Sequence, residues 1–358
     1  NSIGESINRT PSYSRLTNEG LDEKNETFIN VLLGADVHFN KYNTLSVSGH
    51  FAYEWEDQYS KTNYQLLDYN QSTTGRMSRT DTTIATNPKW QYDIRYTKEF
   101  KSGKDHQLII SAIGSYFGKD KTSSYDNVDA SGTLSNLRQR SGADFKEGEY
   151  LFQADYSRPI QKTMRFDIGA KYQLNDLTND YSFSDLVNSS WIENPGFTNV
   201  FGYVQQVAAG YMTYAVEIEN FGVQAGLRYE HSDIQTNLET TQETSHQNYG
   251  NFFPSVHLSY KFSKKASMQF GYSRRIYRPG LWELNPFNSL RDNFNVSTGN
   301  PELTPEYTNS FELSSIHNWK KVSMNAIAFY SQTTDVINEW ITVIDNVSYT
   351  SPQTIGVS

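Results

Sequence analysis

Two-residue periodicity, held over runs longer than ten residues, constrains this chain more than any other feature. From Thr44 to Glu56 one face of an extended chain carries Leu45, Val47, Gly49, Phe51, Tyr53 and Trp55. The opposite face carries Ser46, Ser48, His50, Ala52, Glu54 and Glu56. From Thr163 to Asn175, Met164, Phe166, Ile168, Ala170, Tyr172 and Leu174 oppose Arg165, Asp167, Lys171, Gln173 and Asn175. Shorter stretches at 90–97, 221–230 and 255–260 repeat the split. Successive side chains of a strand point to opposite faces, whereas a helix would scatter these residues around its circumference. Each stretch therefore reads as a strand with one apolar and one polar face.

Twelve such strands are expected, at 26–39, 44–57, 88–100, 106–118, 148–157, 162–176, 201–216, 220–235, 250–262, 266–278, 306–317 and 321–334. Two more are expected at 338–345 and 347–358. Most are longer than the roughly 5–6 residues of a globular strand and match the roughly 9–11 that a tilted membrane strand needs. Short turns such as 40–43, 101–105, 158–161, 217–219, 263–265 and 318–320 alternate with long links at 58–87, 119–147, 177–200, 236–249 and 279–305. Strict alternation puts every short turn at one rim and every long link at the other, as in up-and-down outer-membrane barrels. A Greek-key sandwich has no reason to keep that rule. The fold class expected is therefore all-β, an antiparallel up-and-down transmembrane barrel.

Composition agrees. The chain has 25 Tyr and 20 Phe, yet its mean hydropathy is −0.67. Rings in interfacial girdles and a wet interior give that combination. No stretch approaches the roughly 20 apolar residues of a membrane helix. The apolar faces should meet lipid, because a basic side chain at mid-membrane costs roughly 2–4 kcal/mol. Arg165, Asp167 and Lys171 then face the lumen. Arg274 shares a face with Met268, Phe270 and Tyr272 but stands late in its strand, where that cost fades. Trp55, Trp90, Tyr116 and Tyr156 fall near strand ends, as interfacial rings do.

Other chemistry is sparse. With no cysteine there are no disulfides or thiolate sites. A net charge of −9 argues against nucleic acid as a partner. His38, His50, His106, His231, His246, His257 and His317 show no metal-ligand spacing. Asp120, Asp126 and Asp129 fall in one link but lack the order of a calcium loop and read as solvated acids. Ser111-Ala112-Ile113-Gly114 is not a nucleophile elbow. No catalytic, metal or cofactor site assembles, so the chain is not expected to be an enzyme or to hold a cofactor.

The most specific local pattern is Gly299-Asn300-Pro301-Glu302-Leu303-Thr304-Pro305-Glu306, whose prolines and glycine fix a rigid turn before a strand at Tyr307. It resembles the signature loop of TonB-dependent outer-membrane receptors, in particular the Bacteroidetes-type outer-membrane β-barrel family. The run from Tyr272 to Phe287, with Phe253–Tyr260 and Gly226–Glu230, fits the same pattern, so the specific match covers about 220–334. The resemblance implies a 22-strand barrel, an internal plug and a box that engages TonB. Neither plug nor box is legible here, so residues 1–358 are read as one barrel region, with 12–14 strands of the full set. Asn1-Ser2-Ile3-Gly4 lacks signal-peptide features and Ile355–Ser358 reads as the start of a strand, so both ends are expected to be cut.

The function implied is energised uptake of a bulky nutrient: an iron chelate, glycan, peptide or corrinoid. Implied partners are outer-membrane lipids, the TonB complex through a plug region outside this chain, and the small-molecule, glycan or peptide ligand. A surface lipoprotein stays open as a further partner. Link aromatics Tyr59, Tyr64, Tyr125, Trp191, Trp282 and Phe294 are candidate ligand contacts. Two rival readings are a passive porin-like or plugless surface barrel and a soluble β-sheet carbohydrate-binding protein.

Overall fold

The computed structural model describes residues 2–7, 15–101, 105–130, 137–161, 163–292, 294–344 and 347–357. Parts of the turn expected at 101–105 and of the link at 119–147, with Lys162 and Ser358, lie outside them. The described residues form one 17-stranded sheet. After a short β1 (Ser2–Ile7) come β2 (Arg15–Asn40), β3 (Asn43–Leu67), β4 (Thr73–Glu99), β5 (Gln107–Asp129), β6 (Leu137–Gln161) and β7 (Met164–Val187). A short β8 (Ser190–Glu193) precedes β9 (Asn199–Ile218), β10 (Phe221–Leu238), β11 (Glu243–Ser263) and β12 (Ala266–Tyr277). The last long strands are β15 (Glu306–Asn318), β16 (Ser323–Ile344) and β17 (Val347–Val357). Each long strand pairs antiparallel with the next, β7 with β9 and β12 with β15 included. Among the described residues no ladder pairs β2 with β17; β1 lies against the outer edge of β2 at Arg15–Gly20 and β14 against that of β17 at Ser348–Thr350.

The twelve expected strands are all present, but several run much further than expected. β3 continues to Leu67 and β4 begins at Thr73, so the link expected at 58–87 shrinks to a turn around Asp68–Ser72. The Asp68 carboxylate accepts from the backbone N–H groups of Asn70 and Ser72, both at 2.8 Å, and closes that turn. Ser123–Asn127, expected in a solvated loop, lies within β5. Asp120, Asp126 and Asp129 are therefore strand residues, not loop residues. Beyond the bilayer both faces of a strand are wet, so stretches such as Thr80-Asp81-Thr82-Thr83 lose the apolar contrast while keeping β-favouring Thr. The strands expected at 321–334 and 338–345 are one strand, β16, interrupted where Asp335 takes a left-handed φ of 58°.

The register carries the outward rows from strand to strand. Phe51 stands opposite Trp90, and Trp90 opposite Tyr116. Phe152 stands opposite Tyr172, Ile168 opposite Met212, and Met212 opposite Leu227. Phe270 and Leu313 continue the belt on β12 and β15. These are exposed apolar groups: Phe152 and Met212 at 51%, Ile168 at 43%. Facing inward, Arg165 Nε donates to Asp167 at 2.8 Å and Gln153 Nε2 to the Tyr211 hydroxyl at 3.1 Å. Gly169 leaves room there for the Tyr211 ring, which a Cβ at 2.4 Å would displace. Arg274 lies over the Tyr307 ring, 5.0 Å from its centroid, near the rim end of β12.

Candidate ligand chamber at the long-link rim

The connection between β12 and β15 turns inward and crosses the mouth of the lumen. It carries a one-turn helix, α1 (Leu281–Leu284), and two short strands, β13 (Ser289–Asp292) and β14 (Asn295–Ser297). At the start of α1 the Glu283 carboxylate takes the Gly280 backbone N–H at 2.8 Å and the Tyr277 hydroxyl at 2.7 Å. Burial, reinforced by that hydrogen bond, pushes the Tyr277 phenol up to about 12. Leu281, Leu284 and Leu303 pack against inward residues of three wall strands: Leu177, Phe201, Tyr203, Ile234 and Leu238. This apolar cluster is the largest buried core described, and it sits at the rim, away from the belt. Across the lumen Phe294 packs on Tyr64, with centroids 5.4 Å apart, beside Leu16 and Met77. At the sheet edge Val296 of β14 pairs parallel with Tyr349 of β17.

The motif at 299–306 locks this crossing. The Gly299 backbone N–H donates to Asn285 O at 2.7 Å and that of Asn300 to Glu283 O at 2.6 Å. A Cβ on Gly299 would lie 2.5 Å from Asn285 O, so only glycine permits this approach of two backbones. The Asn300 side chain accepts from the Glu302 N–H at 3.0 Å and donates to Pro352 O at 3.3 Å. Gln247 of β11 donates to Pro301 O at 3.1 Å and Leu303 O at 3.0 Å. Leu303 is fully buried and Pro305 is buried. Glu306 accepts from the Ile337 backbone N–H at 2.6 Å. The six motif residues Gly299, Asn300, Pro301, Leu303, Pro305 and Glu306 thus tie the crossing to α1, β11, β16 and β17.

Between this roof and the β5–β7 wall lies a chamber of about 620 Å³. Its wall side includes Phe117, Lys119, Lys121, Phe145, Asn179 and Tyr181, and its roof side Trp282, Asn285 and Phe287. Trp282 is 66% exposed and stacks on Phe145, with centroids 6.1 Å apart and planes 14° apart. Burial, with the neighbouring Tyr125, pushes the Tyr181 phenol up to about 12, so it stays a neutral hydrogen-bonding group. Lys119 is held by Glu56 at 3.1 Å. A second, more polar cavity of about 740 Å³ opens in the short-turn half of the lumen, lined by groups such as Arg165, Gln224, His257, Arg275 and Glu312.

The six link aromatics do not form one site. Trp282 lines the chamber, whereas Tyr64 and Phe294 pair on the far wall. Tyr125 lies under the Arg79 guanidinium, 4.5 Å away, and shares a hydrogen bond of 2.8 Å with Ser141. Trp191 lies beneath Arg140 at 4.7 Å, in the β7–β8 hairpin. Tyr59 is exposed on β3, in the same row as Phe51 and Trp55. Lys121, Phe145, Tyr181 and the chamber asparagines escaped sequence reasoning, because alternation marks the wet face without saying which part of it a roof will cover. Among the described residues the one grouping of metal-type donors is Glu26, Glu54 and Glu56. Lysines offset those charges: Lys89 binds Glu54 at 3.1 Å and Lys24 binds Glu26 at 2.5 Å.

An apolar belt around a wet interior, with short turns at one rim and long strands at the other, defines a bacterial outer-membrane β-barrel. The chain belongs to the outer membrane protein beta-barrel family, whose profile matches residues 98–357. A comparison with the sequences of curated proteins gives no match. Among solved structures, the ferric-catecholate import receptor Fiu of K12 E. coli aligns with a TM-score of 0.50 at 7% identity, over 95% of this chain and 60% of that one. The copper transporter OprC gives 0.48 at 13% identity, over 96% and 62%. The hemophore receptor HasR of Serratia marcescens, in complex with HasA and heme, gives 0.46 at 10%, over 92% and 59%. At these identities the likeness is one of fold, and this chain spans about three fifths of each of those chains.

Proposed function

We propose that this chain is the barrel portion of a TonB-dependent receptor that captures a bulky nutrient at its outer mouth. The observation that carries the reading is the roofed chamber. A connection that crosses the lumen, packs a buried core against three strands and encloses about 620 Å³ suits capture rather than free diffusion. The resemblance of residues 220–334 to receptors of this class, and the fold shared with an import receptor, support it. In this reading the polar inner wall of the lower lumen meets a plug that the TonB complex pulls, and both belong to the longer protein. Apart from β1 over Arg15–Gly20 and β14 over Ser348–Thr350, the outer edges of β2 and β17 are unpaired among the described residues, and an edge left open in lipid would strand backbone groups, which supports closure by further strands. The alternative, a passive porin, predicts steady conductance. Full-length protein in a planar bilayer should therefore show no open-channel current. A steady ohmic current from the intact protein would identify a pore and end the receptor reading.

A further inference from the structure

We infer that a pocket behind Trp282 is an ammonium subsite of the roofed chamber, taking a protonated amine of the ligand; the inference rests on the receptor reading above. The pocket holds about 280 Å³ between the roof and strands β6, β7 and β9. It shares Phe145, Glu147 and Trp282 with the chamber, so the two spaces adjoin. Its unspent polar groups are acceptors. The Asn175 amide donates through Nδ2 to Glu147 at 3.3 Å, and its buried Oδ1 has no partner. Among the described residues the Glu147 carboxylate has no cation paired with it. Nor has Glu149, two positions along the same face of β6 and directly opposite Asn175. A half-buried carboxylate without a counter-charge, beside a buried carbonyl without a donor, costs free energy until a charged donor arrives.

The cations nearby are committed elsewhere or stand too far off. Arg278 lines the same pocket, but its Nη2 donates to Glu230 at 2.5 Å and its Nε to Ser232 at 3.0 Å. Lys119 is held by Glu56 at 3.1 Å. Lys121 stands opposite Ala143, four positions along β6 from Glu147, which is roughly 13 Å at about 3.3 Å per residue. The apolar lining favours a cation as well. Phe145, Tyr203 and Trp282 line the pocket, and aromatic faces attract an ammonium group. A primary ammonium carries three donors and no acceptor. That suits Glu147, Asn175 Oδ1 and Gln205, which stands opposite Asn175 on β9. An anionic group would instead meet Glu147 and Glu149, and a neutral hydroxyl would leave the carboxylates uncompensated.

The test uses the full-length receptor in detergent at neutral pH, titrated with benzylammonium, its neutral counterpart benzyl alcohol and the anion benzoate. Calorimetry and ligand-observed NMR read binding. Benzylammonium should bind saturably and at least about tenfold more tightly than benzyl alcohol, the difference that one hydrogen bond to a charged group makes. Benzoate should bind no better than the alcohol. Glu147→Gln, which keeps the shape of the side chain, should bring the amine down to the level of the alcohol. Asn175→Ala should weaken the amine and leave the alcohol unchanged. Glu23→Gln, at an exposed position on β2, should change neither. Circular dichroism checks that each variant is folded. Equal binding of amine and alcohol, a preference for benzoate, or an amine preference that survives in Glu147→Gln would each overturn the subsite. So would the lack of saturable amine binding by folded protein, the result expected if a lysine of the longer chain already fills the pocket. All of these leave the receptor reading standing, whereas a steady ohmic current in the bilayer experiment would remove that reading itself.

Discussion

The belt and the mouth of this barrel are built by opposite rules. In the belt, from Phe152 and Ile168 round to Met212 and Leu227, large apolar groups point out and stay exposed, while the wet residues point in. At the mouth, Leu177, Phe201, Tyr203 and Ile234 point in and are buried under Leu281, Leu284 and Leu303. The belt is stable because lipid accepts its outer face. The mouth is stable because a dry core forms in water, as in a soluble protein. A single inner wall thus changes from wet to dry along the same strands. At that change the chain leaves a half-open space of about 620 Å³.

Substitutions can separate the two regimes. The largest effect is expected from Leu303→Ala, which empties a fully buried site and should cost roughly 2–5 kcal/mol. The loss should be confined to the roof, seen as faster amide exchange in 279–305 with little change in exchange along β5–β7. Ile168→Arg, at the lipid face, should cost roughly 2–4 kcal/mol of whole-barrel stability, measured by unfolding in lipid vesicles. Lys171→Ala, three residues on and facing inward, should be close to neutral in the same assay. Equal costs at both positions would erase the distinction between faces. Gly299→Ala should cost about 1–3 kcal/mol, because its new Cβ meets backbone 2.5 Å away rather than a movable side chain. Its signature is a roof that opens to limited proteolysis.

The smallest effect concerns alkaline pH. Burial holds the phenols of Tyr181 and Tyr277 neutral up to about pH 12, against 10.0 for free tyrosine. Below pH 10 both the folded and unfolded states keep these protons. Between about 10 and 12 the unfolded chain gives them up first, so stability should decline as pH rises through that window. Ultraviolet titration should show two fewer late-ionising tyrosines in Tyr181→Phe/Tyr277→Phe than in the unmodified protein. A normal titration near 10 for both would show that the mouth is wetter than its packing implies.

The belt was readable from the residues because lipid imposes a strict contrast between the two faces of every strand. The places of the twelve principal strands and their antiparallel order followed from it. The extensions of β3 to Leu67 and of β4 back to Thr73 were not readable. Above the bilayer Thr, Ser and Asn serve both faces, and the period leaves no trace. The expected break between 334 and 338 was a real local event, the left-handed Asp335, within a single strand. The motif at 299–306 announced its rigidity through its prolines and Gly299. That it roofs a chamber depends on Gln247, Ile337 and Pro352, residues 31 to 54 positions from their partners in the motif, whose pairing no local pattern records. For the same reason Trp282 could be named as a candidate contact while Phe145, which it stacks on, could not.

The two-faced wall is open to direct measurement, because residues 1–358 contain no cysteine, so an introduced thiol is unique within them. Single cysteines at 152, 153, 168, 171, 212 and 228 in the full-length protein, labelled with a fluorophore and placed in lipid vesicles, can be challenged with quenchers dissolved in the bilayer or in water. Labels at 152, 168 and 212 should be quenched from the lipid, and those at 153, 171 and 228 from the aqueous lumen. Labels that respond alike on both faces, whether all from water or all from neither phase, would contradict the account at its foundation.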